Sequence, residues 1–206
     1  MLKRFIPILA MAGLCWIVVL FDQALWHGQL ASHGIVPRHL SGLPGILWSP
    51  FLHGSFKHLA ANTLPLLILG GVICARGRSE FSLVTLCGIL LSGGLTWLIG
   101  RNGSHIGASG LIFCYFGYLA SLACFDRKIG TLLLSLVCIV MYGGMLRGLA
   151  PTSTPVSWEG HLAGLGAGVA IAWLHEKLKR TPIEEPISPP GPPATKGGTG
   201  SASSTP

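Results

Sequence analysis

Six apolar runs, each near the length of a membrane-crossing helix, constrain this chain more than any other feature. They cover Phe5–Phe21, Leu59–Ala75, Phe81–Gly100, Ile106–Phe125, Ile129–Leu146 and Trp158–Leu174. About 20 apolar residues in a helix cross a hydrocarbon core ~30 Å thick. A helix also satisfies all its backbone polar groups within one segment, which lipid demands. The expected fold class is therefore an all-α membrane protein with six transmembrane helices. Charge density agrees, since charged residues make up 10% of the chain against roughly a quarter in soluble domains.

The first run follows Lys3 and Arg4, as in a signal peptide, but its 17 residues exceed the roughly 7 to 15 of a signal h-region. It reads as an uncleaved first helix. The connection from about Leu25 to Ser49 is rich in His, Gly and Pro, too polar to span and too apolar for a free linker. It is expected to lie in the membrane interface. From Thr181 the chain holds seven prolines and no aromatic residue, the composition of a disordered tail. The domain reading is a membrane domain over 1–180 and a tail over 181–206.

The formal charge of +7 invites a nucleic-acid reading, yet the basic residues sit at the ends of apolar runs and form no patch. They act better as an orientation signal. With the N-terminus inside, the inner side holds Lys3, Arg4, Arg76, Arg78, Arg127, Lys128, Lys177, Lys179, Arg180 and Lys196, ten residues, and the outer side Arg38, Lys57, Arg101 and Arg147, four. Both termini are then cytoplasmic, and the second, fourth and sixth helices start at the outer face. The six cysteines lie in or beside apolar runs and read as free core thiols, not as a disulfide framework.

Polar side chains inside a span are costly and so mark function. The second helix opens with His58 and Asn62, four residues apart and on one face. The fourth opens with Gly107-Ala108-Ser109-Gly110, and the sixth with Gly160-His161-Leu162-Ala163-Gly164. The charge-derived topology brings all three to one depth. Together they suit acyl transfer: a serine hydroxyl needs a neighbouring base, and histidine titrates in the right range. The oxyanion needs donors, for which Asn62, His58 and the Ser109 amide are available. Gly160, Gly164 and Gly168 form a small-residue ridge that allows close helix approach. Paired with Gly107 and Gly110, it would bring Ser109 within reach of His161.

These residues resemble the rhomboid intramembrane serine proteases. The resemblance rests on His58-Leu-Ala-Ala-Asn62, on Gly107-Ala108-Ser109-Gly110, and on Gly160-His161 followed by Gly164 and Gly168. It implies a rhomboid-like bundle with Ser109 as nucleophile, His161 as general base and acid, and His58 with Asn62 at the oxyanion. It also implies single-span transmembrane protein substrates cut near the outer surface, and a gate formed either by a mobile loop over the site or by the fifth helix, which ends in Met141-Tyr142-Gly143-Gly144-Met145. Two departures stand out. Gly160 replaces the Ala that many relatives carry before the histidine, and Phe113 replaces a Tyr that packs on the histidine ring. No adjacent Trp-Arg pair occurs in the first long loop, so Trp26 and Arg38 take no role from the family.

Other readings compete. Ser109 could be a small packing residue, His161 a core histidine bonded to a carbonyl, and His58 with Asn62 polar glue between helices. Pro65 frees the Ala61 carbonyl, so some nearby polarity could serve to repair a kink. His53 and His105 lie near no carboxylate and no HExxH, so neither a metal nor another cofactor is expected. Glu159, two residues from His161, is off its face and is given no part in a triad. Phe51, Phe56, Phe113, Tyr115, Phe116 and Trp158 read as interfacial aromatics. The rival function is a catalytically silent rhomboid-like protein that binds transmembrane helices. The expected setting is a bilayer, specifically a bacterial inner membrane, with no nucleic-acid partner.

Overall fold

The computed structural model describes residues 2–151 and 156–180, and these build seven α-helices. They are α1 (Ile6–Phe21), α2 (Gly45–Trp48), α3 (Phe56–Arg76), α4 (Arg78–Ile99), α5 (Ser109–Phe125), α6 (Ile129–Tyr142) and α7 (Trp158–Arg180). There is no strand among the described residues, only an isolated bridge between Ile35 and His105. The predicted tail over 181–206 lies outside them.

Four helical stretches are long and apolar enough to cross a membrane: Leu2–Trp26, Phe56–Arg76, Arg78–Ile99 and Ile129–Leu149. The other two long helices form the centre of the bundle. α5 has 17 residues, and every residue from Leu111 to Leu119 is buried. It is wrapped by Ile8 of α1, Leu66, Leu69 and Ile73 of α3, Phe81 and Val84 of α4, and Ala167 and Ile171 of α7. α6 covers α5 from another side. Its Leu133, Leu136, Val137, Val140 and Met141 stay exposed, a continuous apolar face that suits lipid and not water. On its inner face the Ser135 hydroxyl donates to Leu119 O at 2.7 Å.

α5 and α7 approach backbone to backbone. A Cβ on Gly164 would run into the Gly110 carbonyl oxygen, and one on Gly168 into that of Cys114. Gly117 reciprocates: a Cβ there would lie 2.5 Å from Leu165 O. Gly164 and Gly168 thus face α5, with Gly110 opposite Gly164, while Gly160 is turned toward Ser157 and toward Thr96 of α4. Gly107 belongs to a different contact, described below.

Helix boundaries follow local chemistry. The Ser55 side chain caps α3 by accepting from the His58 amide at 3.2 Å, and α3 runs unbroken through Pro65. The Ser157 hydroxyl accepts from the Gly160 amide at 3.1 Å in the first turn of α7. The fourth apolar run becomes helical only at Ser109, three residues later than the apolar pattern suggests. Two causes act together: His105 is held extended against Ile35, and Gly107 has φ 108°. The fifth run stops being α-helical at Tyr142 and continues as tight 3-10 turns through Gly143–Leu149.

The aromatic expectation needs correction. Phe113, Tyr115 and Phe116 are buried, not interfacial, because they sit on the central helix; Tyr115 shares a 2.7 Å hydrogen bond with Thr85. The cysteines are all free, with Cys15, Cys74, Cys114 and Cys138 buried, Cys87 half-buried and Cys124 exposed. At the end away from Ser109, the Arg76–Glu80 ion pair meets the Tyr118 hydroxyl, which donates to Glu80 at 2.9 Å and lies 2.8 Å from His175 Nδ1. This cluster ties α3, α4, α5 and α7 together.

Candidate active site

The loop entering α5 is held by its own backbone amides. The Gly107 N–H donates to Ser49 O at 2.8 Å, and the Ala108 N–H to His53 Nε2 at 3.3 Å. Ala108 is the N-cap and Ser109 the first helical residue. The first amides of a helix have no intrahelical acceptor, so this turn presents donors beside the Ser109 hydroxyl. Burial pushes the His53 imidazole down to about 4, reinforced by nearby His58 and opposed by the Phe51 carbonyl. Neutral His53 can therefore accept from Ala108.

His161, one turn inside α7, lies with Nε2 3.0 Å from Ser109 Oγ. Its Nδ1 is 2.9 Å from the Gly148 carbonyl oxygen. A carbonyl only accepts, so Nδ1 carries the hydrogen and Nε2 turns its lone pair to the serine hydroxyl. The ring of Phe113 stacks on the imidazole, centroids 4.2 Å apart and planes 11° from parallel. The histidine is thus fixed on one side by an aromatic face and along its edge by a main-chain carbonyl, and among the described residues no carboxylate bonds to its ring.

His58 and Asn62 converge on Gly107 from α3. A Cβ at Gly107 would fall 2.7 Å from His58 Cε1 and Nε2 and 3.4 Å from Asn62 Nδ2. Only glycine fits here, both for this contact and for its left-handed φ of 108°. Asn62 is 8% exposed, and its Nδ2 has no hydrogen-bond partner among the described residues. A buried unpaired donor costs roughly 1–3 kcal/mol. Gly160, directly before His161, packs near Ser157 and Thr96. The nine residues singled out from the sequence thus gather at the N-terminal ends of α3, α5 and α7.

Several members of this site have only weak signals in the sequence. Gly148 contributes a carbonyl, which any residue carries. His53 and His105, considered above only as ligands, are struts: His105 pairs Nδ1 with Ser157 Oγ at 2.6 Å and Nε2 with Arg101 O at 2.8 Å. Glu159 is 2% exposed, accepts from the Arg101 amide at 3.3 Å and pairs with its guanidinium at 3.6 Å. Arg38, at φ 60°, clamps the first loop to the end of α4 through Leu98 O, Gly100 O at 2.7 Å and Asn102 Oδ1. A cleft beside Ser109 is lined by Ile35, Ser49, Ser92, Thr96, Ile106 and Ser157, among others.

The Rhomboid domain model matches residues 41–177, two thirds of the chain and all nine residues singled out from the sequence. The chain belongs to the rhomboid family. Among relatives, uncharacterized proteins of Mycobacterium tuberculosis and Mycobacterium bovis are each 42% identical over 176 residues, covering 81% of this chain and 73% of theirs. An uncharacterized protein of Mycobacterium leprae is 39% identical over 178 residues, covering 82% and 70%. The rhomboid match and the long apolar helices make this an integral membrane protein.

Proposed function

We propose that this rhomboid is an intramembrane serine endopeptidase that cuts single-span transmembrane proteins near the outer face of a bacterial inner membrane. The observation that carries the reading is the 3.0 Å approach of Ser109 Oγ to a His161 whose tautomer is set by Gly148 O. In this reading α1, α3, α4, α5, α6 and α7 are six spans with both termini inside. The Ser109 hydroxyl passes its proton to His161 Nε2 as Oγ attacks the scissile carbonyl. The oxyanion is met by Asn62 Nδ2, His58 and the Ser109 amide. His161 then protonates the leaving amine, and water, reaching Ser109 through the hydroxyl-lined cleft, hydrolyses the acyl-enzyme with His161 again as base. The Phe113 ring and the Gly148 carbonyl hold the imidazole in line throughout.

The test is cleavage of a model single-span substrate in liposomes by wild type, Ser109→Ala and His161→Ala, paired with labelling by a fluorophosphonate. Wild type cleaves and labels, Ser109→Ala does neither, and His161→Ala loses at least the roughly 10²–10⁴-fold typical of a positioned proton transfer. Absence of any Ser109-dependent cleavage or labelling would overturn the reading in favour of a silent helix-binding protein.

A further inference from the structure

At the end of the bundle away from Ser109, the last turns of α5 and α7 enclose a second cleft of about 340 Å³. This lies near the lower end of the roughly 300–1,000 Å³ usual for small-molecule sites. Its wall is apolar and its rim cationic: Cys124, Phe125 and Trp173 form the wall, and Arg127, Lys177 and Arg180 stand around it. Lys177 Nζ lies 5.0 Å above the Trp173 ring, and Arg180 donates to the Phe125 carbonyl. Among the described lining residues Glu176 is the one acid, buried and paired with Lys179 at 2.8 Å. Those residues also supply three cations, Arg127, Lys177 and Arg180.

Its depth sets the partner. α5 runs 17 residues from Ser109 to Phe125, about 25 Å at ~1.5 Å per residue, so Phe125 reaches the edge of a hydrocarbon core. Trp173 is half exposed at that level, as interfacial tryptophans are. Next to the cleft, Leu174 and Leu178 of α7 and Ile129 of α6 are exposed apolar side chains. A ligand seated here meets cations at its head and apolar surface along its stem.

We propose that this cleft binds an anionic phospholipid, its phosphodiester among Arg127, Lys177 and Arg180 and its first acyl carbons against Trp173 and Phe125. Basic pockets between helix ends at a membrane surface are suited to such headgroups, each Lys or Arg contributing about 1 kcal/mol, or roughly fivefold in affinity. The apolar wall is what favours a lipid over a free phosphate.

The experiment titrates the purified full chain with phosphatidylglycerol, phosphatidylcholine and inorganic phosphate, reading bound lipid by native mass spectrometry and thermal stability in vesicles with and without phosphatidylglycerol. Wild type prefers phosphatidylglycerol and gains stability from it, and added salt weakens the gain. Arg127→Gln/Lys177→Gln, which leaves the Arg180–Phe125 contact intact, loses the preference by roughly 25-fold, and adding Arg180→Gln by roughly 100-fold. Lys3→Gln/Arg78→Gln removes the same charge elsewhere and keeps it. No headgroup preference in wild type, equal loss in both double variants, or competition by phosphate as strong as by the lipid would each overturn the proposal.

Discussion

Asn62 illustrates what a single buried side chain costs and contributes. Its amide nitrogen is unpaired among the described residues while sitting in the fold beside Gly107. Replacing it with Ala removes a desolvated donor and not a satisfied hydrogen bond. Asn62→Ala is expected to leave thermal stability unchanged or raised while cleavage falls roughly 10²–10³-fold, the usual cost of one oxyanion donor; a large stability loss with cleavage retained would make Asn62 a packing residue. His53 works through the loop. It is 1% exposed and accepts from the Ala108 amide, which only the neutral ring can do. Its folded-state pKa of about 4 lies below the ~6.5 of an unfolded histidine, so its contribution is complete above ~6.5 and is lost as pH falls from there toward 4. Protection of the Gly107 and Ala108 amides from hydrogen exchange, corrected for the intrinsic rate at each pH, should fall as pH drops through that window, and His53→Gln should flatten the profile. A flat wild-type profile would remove His53 from the site's support.

At the scale of elements, the contact of α5 with α7 decides whether the site exists. Gly164 lies three residues beyond His161, and Gly110 follows Ser109, so the pair that spaces the backbones also spaces the two reactive side chains. A methyl group at Gly164 has nowhere to go against the Gly110 carbonyl, whereas Gly166 on the same helix has nothing within 4 Å of its missing Cβ. Gly164→Ala is expected to cost roughly 1–3 kcal/mol through overpacking and to lower cleavage by parting Ser109 from His161. Gly166→Ala should be neutral or mildly stabilising through helix propensity. Paired thermal melts of the two variants check this, and equal behaviour would show that the helices have slack between them. The ridge was legible in the sequence because small residues every four positions have one well-understood use in a membrane. The start of α5 was not: Ile106 and Gly107 are apolar enough to join the run, and the turn that excludes them depends on Ile35, some seventy residues earlier.

For the whole molecule, four helices qualify as spans by length and apolarity alone, and the central pair falls outside that class for a physical reason. α5 is short and enclosed by protein, while α7 combines glycines with a cationic last turn, so neither must match the bilayer by itself. The count of ten basic residues on one side and four on the other predicts that the end carrying Cys124 faces the cytoplasm. Cys124 is the exposed cysteine among the described six. A membrane-impermeant maleimide should therefore label Cys124 in inverted vesicles and not in intact cells; labelling from outside would reverse the topology and place the Ser109 pocket on the inner face.

The amino-acid sequence alone determined that this chain lives in a membrane as helices, and it singled out the polar side chains that are most costly there. Both conclusions rest on local quantities, run length and residue type, which need no knowledge of neighbours. Tertiary structure decided the rest. It selected a backbone carbonyl at Gly148 to set the His161 tautomer and turned His53 and His105 from isolated histidines into struts. It buried Glu159 against Arg101 and drew Phe113, Tyr115 and Phe116 into the core. Each of these depends on contacts between residues far apart in the chain, or on main-chain atoms that every residue shares, and neither leaves a pattern in sequence spacing.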